Sequence, residues 1–151
     1  MLAVQSSIPA MSLKSLEQAQ NIEGFLSDLP QIEVTTWHTL HAGVYTRTIF
    51  MAKNSVISGA LIKRSVNLII SGRVVVSIGD NEAVEYDGYT VLTAAANRKQ
   101  VFIAKKNTYL TMYFATEAKT IEEAENEFTD EGDKLISRKP EGINHVVITG
   151  V

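Results

Sequence analysis

Residues 59–72 read GALIKRSVNLIISG, and the fold turns on them. The run is apolar, rich in β-branched side chains and bounded by glycines, which favours strands over helix. We read a strand, a tight turn at Lys63-Arg64, a second strand, and a closing turn at Ser71-Gly72. Residues 56–61 and 66–70 then flank the central turn as a pair. The chain before this stretch leads into a β-structure, and the chain after it completes that structure.

Downstream, 73–78 alternates weakly, and further short strands are read at 83–86, 89–93, 100–104 and 108–115. Turn signals separate them: Gly79-Asp80-Asn81, Asp87-Gly88 and Lys106-Asn107. Upstream, residues 32–36 alternate Ile32, Val34, Thr36 against Glu33 and Thr35. Residues 44–51 place Tyr45, Arg47, Ile49 and Met51 on one side. The result is eight or nine short strands at spacings of about 8–12 residues, the signature of an antiparallel sandwich or small barrel. No long helix separates the strands, so a parallel α/β sheet is excluded.

Helical spacing occurs twice. Over 13–29, Leu13, Leu16, Ala19, Ile22, Phe25, Leu26 and Leu29 recur at steps of three and four, with Ser12 or Ser15 as cap and Pro30 as terminator. We expect this helix to dock on the barrel through Leu16, Ile22, Phe25 and Leu26, the other reading being a partner-binding or dimer helix. A second helix, IEEAENEF, comes after Thr120, whose spacing to Glu123 is that of a capping box. Its carboxylates Glu122, Glu123, Glu125 and Glu127 are expected to spread over a solvated surface. The organisation is an N-terminal arm (1–12), one domain (13–138) and a C-terminal arm (139–151). The arm ends in His145, Val146, Val147 and Ile148, a strand with no obvious partner. It is expected to add to the barrel edge or to a neighbouring subunit, and we assign these four residues to a partner interface.

Composition narrows the chemistry. A chain of 151 residues fits one domain. With no cysteine, disulfides, thiolate metal sites and cysteine nucleophiles are all excluded. The formal charge of −3 disfavours non-specific nucleic-acid binding. No apolar run reaches the length of a membrane span, and the N-terminal MLAVQSSIPAMS lacks the features of a signal peptide. No serine sits in a nucleophile elbow and no glycine loop joins strand to helix, so neither motif supports catalysis. His38 and His41 are three apart in a strand context, which puts them on opposite faces, and His145 is remote. They do not form a facial ligand set, and His38 is expected to be a hydrogen-bonded structural residue. The basic residues Lys63, Arg64, Arg98 and Lys99, with Arg73, Lys105 and Lys106, fall near strand ends. There they either gather at a barrel mouth to bind an anion or blunt exposed edges.

The pattern His38-Thr-Leu-His-Ala-Gly43-Val-Tyr45-Thr-Arg47, then Gly59, Ser71-Gly72 and Thr-Asp-Glu-Gly at 129–132, resembles a family of small tailed-bacteriophage proteins with a cupin (double-stranded β-helix) fold. The helix ending in Leu29-Pro30-Gln31 is similar too, and the likeness spans about residues 13–138. It implies a six- to eight-stranded barrel or jelly roll, often dimeric, with no settled activity. Family histidines resembling a metal site fall here at Ile62, Val66 and Phe114, an asparagine near Leu68, and an arginine at Gln100. Two family glycines fall at Asn54 and Asn97, where asparagine still accepts a left-handed turn.

The expectation is therefore an all-β, cupin-like antiparallel barrel with an N-terminal helix, a C-terminal helix and a terminal strand. It needs no cofactor and no metal and is not an enzyme. The reading is a phage structural or assembly protein (decoration, cement or tail component), a homo-oligomer meeting other virion proteins. It would act in the virion, or in host cytoplasm during infection, without membrane or nucleic-acid contact. The alternative is a barrel that captures an anionic small molecule, such as a nucleotide or host signal, at Lys63, Arg64, Arg98 and Lys99.

Overall fold

In a computed structural model, residues 7–150 are described; the N-terminal arm expected over 1–12 lies outside the described residues up to position 6. Nine strands and two helices run in order: β1 Ser7–Ile8, α1 Leu13–Ser27, β2 Val34–His41, β3 Val44–Met51, β4 Val56–Ser58, β5 Val66–Gly79, β6 Glu82–Ala94, β7 Val101–Ala104, β8 Thr108–Ala115, α2 Ile121–Phe128 and β9 Gly142–Ile148. Two short 3-10 turns, Gly132–Lys134 and Ile136–Arg138, precede β9. The strand order is β1-β6-β5-β8-β3-β2-β9, with β4 and β7 attached beside the far half of β5. This is an all-β, cupin-like barrel with flanking helices. The sheet is mixed, since β1–β6 and β2–β9 run parallel while the others run antiparallel.

The stretch 59–72 folds differently from its local reading. Lys63-Arg64 is not a hairpin: β4 pairs with β7, and Ile62 bridges Arg98. Nor do Ser71-Gly72 and Asp87-Gly88 end strands. Both lie inside the long β5–β6 ribbon, where Gly72 (φ +141) stands opposite Gly88 (φ +92). There the ribbon turns a corner, leaving β8 after Ser71 and joining β7 at Val74. A Cβ at Gly72 would sit 2.5 Å from Thr108 Oγ1 and 2.6 Å from the Asn107 carbonyl oxygen. The glycine signal marked a bend forced by close backbone approach. The ribbon does end at Asp80-Asn81, both with positive φ. Asn54 and Asn97 also take positive φ, 70° and 62°, keeping the left-handed geometry expected there.

Inward residues alternate along the strands and form one core with Tyr45, Ile70, Val74, Val76, Leu92 and Phe128 all nearly inaccessible. Helix α1 departs from expectation. It starts as read, with Ser12 Oγ accepting from the Ser15 amide, but its buried residues are Ser15 and Ala19. Phe25 is 68% exposed and Ile22 43%. Polar groups hold the helix instead: Ser15 Oγ accepts from the Asp80 amide at 2.8 Å, and Glu23 reaches the buried Lys99. Both arms are tied to this same chain. Ser7–Ile8 pairs with β6, and the Met11 amide donates to the Asn97 carbonyl.

Candidate functional site

The barrel interior carries the first test. Val66, Leu68 and Phe114 are 5%, 6% and 3% exposed, and Ile62 packs against the same core. Among the described residues no three His, Asp or Glu side chains converge as a metal would require. Gln100 donates from Nε2 to the Ser77 carbonyl and accepts from Arg98. These side chains fill the barrel and offer no ligating set, so a metal of the usual cupin kind does not fit here.

A polar cluster lies where α2 and Ile136–Arg138 cover the β2–β3 end. Glu125, on α2, is 3% exposed. It accepts from Arg47 Nη1 at 2.8 Å, from Arg138 Nε at 2.9 Å, and from the Ser137 hydroxyl. Burial alone would raise its pKa, but these donors outweigh that and hold it below the usual value. Tyr45 links the pair onward, its hydroxyl lying 2.7 Å from His38 Nδ1. His38 Nε2 lies 2.7 Å from Asn144 Oδ1. Burial lowers the His38 pKa, which keeps the imidazole neutral near pH 7, and burial raises that of Tyr45. A cleft of about 280 Å³ opens beside these groups. The cluster's polar atoms serve one another, and in doing so fasten helix, turn and last strand to the barrel. Glu125 therefore corrects the solvated-surface reading. The signal was present, since Glu125 shares the i, i+3, i+4, i+7 stripe of Ile121, Ala124 and Phe128.

The basic residues disperse into separate pairings. Lys63 Nζ meets Asp130 at 2.6 Å on the surface. Arg64 reaches Glu127 at 3.4 Å and lies 4.3 Å from the Phe114 ring centre. It borders a shallow groove of about 460 Å³ with Ser7, Pro9 and Asn67. Lys99 is wholly buried between Glu23 at 2.7 Å and Glu131 at 2.9 Å. Arg98, 4% exposed, donates to the Ala95 carbonyl and to Gln100 Oε1, and burial lowers its pKa to about 10. The Ile62–Arg98 bridge brings Lys63, Arg98 and Lys99 near the 129–132 turn, while Arg64 belongs to the groove.

Of its two expected places, the tail strand takes the barrel edge. His145, Val146, Val147 and Ile148 pair in parallel with Trp37, His38, Thr39 and Leu40 of their own chain. Pairing satisfies the tail's amides on one side without a neighbour, and His145 stacks on Trp37 at 5.8 Å. Its other edge closes the strand order, and Val146, Val147 and Ile148 are 50–58% exposed. His41, on the opposite face from His38, contacts Thr149.

No protein-family profile and no curated protein sequence matches this chain. Several solved structures that it resembles are described as cupin proteins. One is a cupin superfamily protein from Desulfitobacterium hafniense, at 13% identity over 60% of this chain and 84% of that one, with a TM-score of 0.45. An ectoine synthase from P. lautus is similar at 12% identity, over 58% of this chain and 67% of that one, with a TM-score of 0.46. A salicylate 1,2-dioxygenase variant from Pseudoaminobacter salicylatoxidans is similar at 10% identity, over 78% of this chain and 36% of that one, with a TM-score of 0.49. At these identities the likeness concerns the fold, whose bearers serve several functions.

Proposed function

We propose that this protein works by assembly and not by catalysis. It is a homo-oligomeric structural component of a tailed-phage virion, built on a cupin-like barrel whose interior has become solid core. One observation carries the reading: Val66, Leu68 and Phe114 are buried core residues and Ile62 packs against that core, so apolar side chains stand at all four positions. A metal-dependent enzyme of this architecture needs converging donor side chains there. The resemblance of the 38–47 and 129–132 segments to small phage proteins supports the virion role. Pairing of Lys63, Arg64 and Lys99 with carboxylates leaves the anion-capture alternative with less support. The test is biochemical. Particles of the encoding phage, banded on a density gradient and washed in high salt, should carry the chain at a fixed copy number. A chain found wholly in the particle-free fraction contradicts the virion role.

A further inference from the structure

Six strands present a broad outer face. One row across it runs from β9 to β6 through His145, Trp37, Thr48, Thr111, Ile69 and Val91. The residues two positions away on each strand point the same way. Taken three to a strand, at 143–147, 35–39, 46–50, 109–113, 67–71 and 89–93, none of these outward positions is Asp, Glu, Lys or Arg. Charged residues make up 21% of the chain, so a face without one departs from the rest of the molecule. Nor is it covered by the described residues: Tyr89 is 72% exposed, Val91 56%, Tyr109 45% and Trp37 38%.

We infer that this face packs against the same face of a second copy of the chain, an inference that rests on the assembly reading above. A two-fold axis sets like against like, so an ionised residue near the axis would meet its own charge. A face with no fixed charge suits that geometry, and it gives no handle to a partner recognised by charge. Its size also suits. Six strands at about 4.8 Å spacing and five residues at about 3.3 Å cover roughly 500 Å² in projection, and more once side-chain relief is included. That is the scale of a standard interface, roughly 800 Å² per partner. Two twisted sheets pack face to face about 10 Å apart with strands within about 30° of each other. Trp37 and Tyr109, whose rings lie 6.0 Å apart, are the aromatic anchors such an interface needs.

The experiment is sedimentation velocity on the full chain, beside Thr111→Lys and Tyr109→Glu, with circular dichroism to verify folding. The native protein should be a dimer, or a larger oligomer built from it, at micromolar concentration. Each folded variant should associate at least tenfold more weakly. Trp37 is the single tryptophan and supplies a second readout that needs no variant: acrylamide should quench it less in the oligomer than after dilution to monomer. Folded variants that keep native association, or quenching that does not change on dilution, overturn this interface while leaving assembly by another surface intact. A native chain that stays monomeric at tens of micromolar overturns the interface and the homo-oligomer reading together.

Discussion

His38 on β2 and Asn144 on β9 meet at 2.7 Å across 106 residues of chain. The contact fixes the last strand to the sheet and connects it, through Tyr45 and Arg47, to Glu125 beneath α2. Asn144→Ala leaves a buried imidazole nitrogen without its partner. The expected cost is about 1–3 kcal/mol, with faster amide exchange along β9. A change below about 0.5 kcal/mol by urea denaturation would show that the strand is held without this contact.

His38 also sets a pH dependence. Its folded pKa lies below 6.5, first because it is buried. The unfolded chain therefore takes up the proton more readily, and stability rises with pH through this range. The contribution should be complete above about pH 6.5 and decline below it. His38→Gln should flatten that part of a melting-temperature profile; an unchanged profile would place the proton elsewhere.

Glu131 acts in a lower window. Burial would raise its pKa, but hydrogen bonds from Lys134, Lys99 and the Leu61 amide outweigh burial and bring it to about 2. A depressed carboxylate stabilises above its unfolded value and loses that contribution as pH falls through its folded one. Stability should drop between about pH 4.5 and pH 2, by about 1–2 kcal/mol from this group once solvent screening is allowed for. In Glu131→Gln the drop should be smaller by a comparable amount.

Two substitutions on one helix and its anchor should behave in opposite ways. Phe25→Ala removes a side chain that is 68% exposed and should change monomer stability by less than about 0.5 kcal/mol. Lys99→Met removes the buried cation between Glu23 and Glu131 and leaves Lys134 as their shared counter-charge, at a cost of about 1–3 kcal/mol. Equal effects in denaturant titrations would mean that α1 is held by apolar packing after all.

Gly72→Ala tests the corner of the β5–β6 ribbon. The new methyl would meet the Asn107 carbonyl at 2.6 Å in a backbone of φ +141°, and neither can give cheaply. A loss of roughly 2 kcal/mol or more is expected. Tolerance of alanine there would mean that the corner bends elsewhere.

Much of the fold was legible because alternation, turn residues and caps act locally. The alternation in Val44–Met51 puts Tyr45, Arg47, Ile49 and Met51 on one side, and that side faces the core, with Ile49 half-buried. Pairing was less legible, because it depends on residues far apart. Nothing within 59–72 shows that Val56–Ser58 joins Val101–Ala104, or that Gly72 faces Gly88. Helix α1 departs from its pattern because most of its apolar stripe, Leu13, Ile22, Phe25 and Leu29, is exposed, while Ser15 and Glu23 make polar attachments. The Glu125 cluster was missed for the same reason in reverse. A carboxylate reads as surface until Arg47 and Arg138, 78 and 13 residues away, are seen to meet it. The apolar residues at Ile62, Val66, Leu68 and Phe114 were readable from the chain alone, because no fold can turn such side chains into ligands.

Native mass spectrometry of the purified protein tests the central claim most directly, since it reports subunit number, bound metal and bound small molecule together. The account predicts a homo-oligomer whose mass equals an integral number of bare chains. A monomer carrying one equivalent of a transition metal or of an anionic metabolite per chain would contradict it.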